Sequence, residues 1–142
     1  MQLKEQLMYD ELVKQLREFE GFEGEPYIDT QGYQTIGIGT KLPITEEEAE
    51  LLLKHRLKQR FNQLNVLKLD NLDIKEEAKI ILYDMAYNLG VKGLLNFKKM
   101  WKALENKDYL EASREMKNSK WYHQVGRRSK YLVKEMENLS KV

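Results

Sequence analysis

Only one stretch of this chain suits β-strands, and it is short. From Pro26 to Gly39 the residues run Pro-Tyr-Ile-Asp-Thr-Gln-Gly-Tyr-Gln-Thr-Ile-Gly-Ile-Gly, rich in Tyr, Ile and Thr with Gly at turn positions. Asp29-Thr-Gln-Gly32 falls where a hairpin would reverse. Elsewhere the apolar residues recur at helical intervals, so the sheet has to be minimal and the core has to be built by helices. The fold class expected is α+β, mostly helical, with a small hairpin lobe.

Tyr9, Leu12, Val13, Leu16 and Phe19 share one helical stripe, and Gly21 and Gly24 before Pro26 end it, which predicts a first helix from about Leu3 to Glu20. Thr45-Glu-Glu-Glu48 reads as a capping box opening a helix of about twenty residues, roughly 30 Å long, through Leu51, Leu52, Leu57, Phe61 and Leu64. Asp73 with Glu76 is expected to open a helix through Ala78, Ile81, Leu82, Met85 and Leu89 that stops at Gly90. Shorter helices are predicted over Phe97 to Asn106, Asp108 to Met116 and Arg127 to Leu139.

A chain of 142 residues with 42% hydrophobic content is long enough to bury a core. It has no Cys, and His55 and His123 lack metal-ligand spacing, so no disulfide, metal or cofactor is expected and both His read as surface residues. Charges every few residues in MQLKEQLMYDELVKQLREFEG leave no apolar run for a signal peptide or a membrane span. The net charge of +1 conceals an asymmetry: residues 1–29 carry eight acids and three bases, residues 114–142 eight bases and three acids. Attraction between the two ends would draw the last helix toward the first, although two solvated faces are an equally simple reading.

The acids around the hairpin suggest the chemistry. Glycoside hydrolysis by general acid and activated water needs two carboxylates, and a hydroxyl can help to hold the water. Asp29 and Thr35 lie on the hairpin, and Glu18, Glu20 and Glu23 flank it. At about 100° per residue Glu20 falls on the side of Leu16, Leu12 and Tyr9, whereas Glu18 falls on the polar side. Glu20 is therefore expected to face the core, where apolar neighbours resist ionisation and favour a proton donor. Glu23 is expected to follow the helix end, mobile and solvated. Each acid taken singly also reads as an ordinary surface charge.

Leu16-Arg-Glu-Phe-Glu-Gly21 followed by Tyr27-Ile-Asp-Thr-Gln-Gly-Tyr-Gln-Thr-Ile-Gly-Ile-Gly39 resembles the active-site segment of phage-type lysozymes. The similarity resumes at Asp84-Met-Ala-Tyr-Asn-Leu-Gly90 and at Ser119-Lys-Trp-Tyr-His-Gln-Val-Gly-Arg-Arg128. The resemblance implies a single lysozyme-like domain over 1–142: a small lobe at about 22–44, a linking helix at about 45–64, and a helical lobe of 1–20 plus 65–142. It implies that Glu20 protonates the glycosidic oxygen, that Asp29 stays ionised, that Thr35 helps to hold water, and that the reaction inverts. Asn88 would contact sugar amides, and Arg128 would approach the acid as a geometric clamp. Trp121 and Tyr122 suit packing at a helix corner better than sugar stacking.

Three departures from the T-even type of that family stand out. Thr40 replaces a His after Gly-Ile-Gly; only Thr40 to Ile44 separates the sheet from Thr45, reducing one wall of the substrate groove; and the first helix is longer while the chain ends soon after the basic helix. The activity implied is a peptidoglycan muramidase acting as a phage endolysin. It would be made in the host cytoplasm, reach the periplasm or wall through a holin-like permeabilising partner, and work as a monomer without nucleic acid or stable membrane insertion. Two alternatives remain: a catalytically silent virion protein with the same fold, and a nucleic-acid module using Arg114, Lys117, Lys120, Arg127, Arg128, Lys130 and Lys134, which a net charge of +1 disfavours.

Overall fold

The computed structural model describes residues 2–141. Among them the order is α1 (Leu3–Glu20), β1 (Glu23–Ile28), β2 (Gln34–Gly37), β3 (Thr40–Lys41), α2 (Glu46–Leu67), a 3₁₀ turn (Leu69–Asn71), α3 (Glu76–Leu89), α4 (Val91–Leu95), α5 (Lys98–Glu105), α6 (Tyr109–Lys117), α7 (Lys120–Val125) and α8 (Arg127–Asn138). This is the α+β, mostly helical, lysozyme-like architecture expected from the sequence. The chain divides into two compact units, Met1–Leu51 and Leu52–Val142.

In the first unit α1 has the bounds its periodicity predicts, and Gly21 at φ 68° ends it with its N–H donated to the Arg17 carbonyl. The sheet is a meander, β1-β2-β3, wholly antiparallel. Tyr27 pairs with Thr35, Ile28 with Gln34, and Glu23 with Gly37, the register shifting between Glu23 and Tyr27. Pro26 lies in that irregular stretch, where a residue without an N–H costs the ladder least. Two expectations are corrected here. Glu23 is not a mobile residue after the helix but the first residue of β1, held by its pairing with Gly37. Residues 40–44 are not all connector, because Thr40 and Lys41 form β3 against Ile36 and Thr35.

The capping box forms as predicted. The Thr45 N–H donates to Glu48 Oε1 at 2.9 Å, and the Glu48 N–H donates to Thr45 Oγ1 at 3.1 Å. Leu64 is the only buried residue of α2; Leu51, Leu52 and Phe61 stay exposed, although the Phe61 ring stacks on Tyr83.

The second unit holds the apolar core, in which Leu64, Leu82, Met85, Leu94, Leu104, Met116 and Met136 are fully buried. Helices α3, α5, α6 and α8 present their apolar stripes to one another, and Trp101 is inserted with its indole N–H donated to the Leu94 carbonyl at 3.0 Å. Gly90, at φ 83°, ends α3 by donating to the Ala86 carbonyl at 2.8 Å, a conformation a side chain would strain. Asp73 does not cap α3: the N-cap is Lys75, and the Asp73 carboxylate instead binds Lys107 Nζ at 2.8 Å. The Lys75 N–H is satisfied from further along the chain by the Tyr109 hydroxyl at 3.0 Å. Two short helices, α4 and α7, escaped the sequence reading because five or six residues hold too few apolar repeats to show a period.

Candidate active site

The hairpin turn is organised by Asp29. Its Oδ1 accepts the Gln31 N–H at 2.9 Å and the Tyr33 N–H at 2.8 Å, an Asx-type turn that Gly32 completes at φ 89°. Both in-line acceptor positions of Oδ1 are thereby used. Oδ2 accepts from Lys41 Nζ at 2.8 Å and has a lone pair left. The β2–β3 pairing sets Lys41 opposite Thr35, and from there the Lys41 ammonium lies 4.8 Å from the Tyr33 ring centroid. The Lys41 hydrogen bond, reinforced by the Tyr33 and Gln31 N–H groups, holds the Asp29 carboxyl below the usual aspartate range. Asp29 in turn raises the Lys41 ammonium above its ordinary value, and Glu20 adds electrostatically to that rise. One ammonium therefore feels both carboxylates.

Glu20, the last residue of α1, lies against the backbone at Gly39. A Cβ built on Gly39 would stand 2.6 Å from Glu20 Oε2 and 2.7 Å from its Cδ, so the carboxylate occupies the space the missing side chain leaves. The expectation that Glu20 faces a core is corrected. Glu20 is exposed, α1 has no buried residue, and the stripe that set its helical phase is itself open, Phe19 being 82% exposed. Helical phase says which residues share a side, but not whether anything covers that side.

Thr35 is 2% exposed, the one buried residue among those described up to Leu51, and its hydroxyl donates to the Tyr33 carbonyl at 2.9 Å. Its acceptor lone pairs remain for a second contact. The first unit thus brings Glu20 to Gly39 and Asp29 to Lys41, with Thr35 buried on β2 between its partners Tyr27 and Lys41.

Asn88 and Arg128 belong to the second unit. Asn88 Oδ1 accepts the Trp121 indole N–H at 3.0 Å. Trp121 is buried and meets Phe97 edge to face at 6.2 Å, which is the packing role expected of it. Arg128 grips Asp84: Nε and an NH2 nitrogen both reach Oδ1, at 2.6 and 2.5 Å. The second nitrogen also contacts the Asp84 carbonyl at 3.4 Å, locking the start of α8 to α3. His55 and His123 are exposed, as predicted. Among the described residues no group of His, Cys, Asp or Glu could hold a metal ion.

Sequence reasoning missed Lys41 and Asp84, and read Gly39 only as a glycine for turn geometry and close approach, without the Glu20 carboxylate that fills the space beside it. The signal for Lys41 was its place opposite Thr35, which becomes visible only once β3 is recognised. Asp84 could have been found four residues before Asn88 on the same face of α3.

A helix-terminal carboxylate and a turn-held carboxylate sharing one small sheet define a candidate glycoside hydrolase site. A family model described as phage lysozyme matches residues 17–138, and the chain belongs to that family. It is a glycoside hydrolase of the lysozyme type. The protein named "Probable T4-type lysozyme 1" of Dictyostelium discoideum is 29% identical, over 95% of this chain and 93% of its own length. "Probable T4-type lysozyme 2" of the same organism is 28% identical over the same shares. "Peptidoglycan hydrolase gp36" of Pseudomonas phage phiKMV is 30% identical over 87% of this chain, which matches 15% of that longer protein.

Proposed function

We propose that the chain is a muramidase that cuts the β-1,4 bond between N-acetylmuramic acid and N-acetylglucosamine in peptidoglycan, with inversion, and serves as a phage endolysin. The observation that supports this reading is the placement of two carboxylates at one small sheet: Glu20 exposed against Gly39, and Asp29 paired with Lys41, which holds its carboxyl below the usual aspartate range. Glu20 donates its proton to the glycosidic oxygen as the bond to the anomeric carbon breaks. Water attacks that carbon from the opposite face and gives its proton to Asp29, whose Oδ2 has the free lone pair. Thr35 steadies the water through an acceptor lone pair, since its own proton goes to Tyr33. The resemblance assigns Asn88 to sugar amides, a contact left to its amide nitrogen because its oxygen accepts from Trp121; Arg128, assigned as a clamp on the acid, is held by Asp84 within the second unit.

The phiKMV relative is named as a peptidoglycan hydrolase, which agrees with this substrate. No described helix is long and apolar enough to cross a membrane, and release from the host cytoplasm by a holin-like partner is part of the proposal. The test is clearing of purified peptidoglycan by wild type, Glu20→Gln and Asp29→Asn, each verified as folded. Both variants are expected to lose at least about a hundredfold, the scale of general acid and base catalysis. Full activity in Glu20→Gln would remove the assignment of the acid. NMR of the first-formed product anomer checks inversion, and a retained configuration would replace the water mechanism with a covalent one.

A further inference from the structure

Among the described residues Lys41 is the one side-chain hydrogen-bond partner of the Asp29 carboxylate, and the geometry around it is specific. The Asp29 side chain is 18% exposed and that of Lys41 54%, so the ammonium covers an acid that is otherwise largely enclosed by its own turn. Oδ1 is saturated by two backbone N–H groups, which leaves Oδ2 to be shared by Lys41 and any water. Lys41 reaches Oδ2 because β3 pairs with β2, and the Tyr33 ring lies beside its ammonium at 4.8 Å. The charged or titratable groups that face this ammonium are Asp29, Glu20 and Tyr33.

We propose that Lys41 is a positioning residue for hydrolysis: its ammonium fixes Asp29 Oδ2 so that the remaining lone pair of that oxygen is presented to the attacking water. The inference rests on the muramidase reading of Asp29. Lys41 does not touch the reacting atoms, and it acts through the carboxylate. By stabilising the ionised form of Asp29 it also keeps the site active further into acid than an unpaired aspartate would allow.

The test uses the full chain as wild type, Lys41→Met and Lys41→Arg, with two readouts. The first is the Asp29 side-chain carboxyl 13C shift followed by NMR as a function of pH. The second is the pH profile of kcat and KM on solubilised peptidoglycan glycan strands. In Lys41→Met the Asp29 titration and the acid limb of kcat are both expected to move to higher pH, with kcat at the plateau falling by up to about fivefold, the scale of an exposed ion pair, and KM unchanged. Lys41→Arg restores both, because a guanidinium can supply the same charged donor. An Asp29 titration that stays put in Lys41→Met overturns the inference outright. A titration that moves while the acid limb does not overturns its catalytic part. Failure of the muramidase reading has a separate signature, since Glu20→Gln or Asp29→Asn would then keep activity whatever Lys41 does.

Discussion

Gly39 and Glu20 compete for the same volume. With φ at 66° the glycine adopts a backbone conformation that side chains rarely take, and the place of its missing Cβ is filled by the Glu20 carboxylate. Gly39→Ala therefore carries two penalties, backbone strain and eviction of the acid. The strain alone should destabilise by about 1 kcal/mol or more, measured by urea denaturation. Because the Glu20 side chain is a flexible end it will swing aside rather than block folding, so activity should fall further than stability does. Equal stability with full activity would mean that the contact does not position Glu20. The Asp29–Lys41 pair makes a second prediction. Asp29 has its pKa lowered in the fold, so its contribution is present above the ordinary aspartate value and is lost as pH falls through the depressed one. Lys41 has its pKa raised, so its contribution is present below the ordinary lysine value and is lost as pH rises through the raised one. The Tm difference between wild type and Lys41→Met should therefore be greatest at intermediate pH and shrink at both extremes. Asp29→Asn is the cleaner probe of charge, because an amide oxygen can still accept from Gln31 and Tyr33 and keep the turn.

At the scale of elements, legibility followed the range of the interaction. The capping box was readable because Thr45 and Glu48 are three residues apart and satisfy each other's backbone N–H. Thr45→Ala should cost about 1 kcal/mol, seen as a lowered urea midpoint, with helix content by circular dichroism reduced only modestly. The bounds of α1 were equally readable, since Gly21 and Pro26 are local punctuation. Asp73 was misassigned because a carboxylate before a helix looks like a cap, whereas a lysine 34 residues onward holds it. The third strand was unreadable for a similar reason: Thr40 and Lys41 are strand only because Ile36 and Thr35 lie beside them. The candidate acid was found by motif and phase, but its surroundings were not, because exposure is decided by what covers a helix and not by the helix. Trp121 went the other way. Its burial, its ring contact with Phe97 and its bond to Asn88 all match a packing role that aromatic size alone suggested.

Across the whole molecule, apolar burial is unevenly shared. Every residue of the core lies between Leu64 and Met136, while Thr35 is the one buried residue described up to Leu51. Truncating a fully buried side chain such as Leu82 or Met85 should cost about 2–5 kcal/mol through lost transfer energy and a residual cavity. Leu12→Ala, on an exposed helix face, should stay within about 0.5 kcal/mol. The same contrast predicts the pattern of local opening. Backbone amides are protected when breaking their hydrogen bonds requires exposing packed apolar surface, and those of α3, α5, α6 and α8 meet that condition. Amides of α1 and the β-meander are hydrogen-bonded too, but little apolar surface restrains their opening. Native-state hydrogen exchange should therefore show the slowest amides within residues 64–136, tracking global unfolding as denaturant is added. The hairpin and α1 should exchange earlier by opening that leaves that core intact. Under the proposed function a hairpin with this behaviour would adjust around a glycan without loosening the core, and uniform protection across both units would show instead that Glu20 and Asp29 are held as rigidly as Leu82.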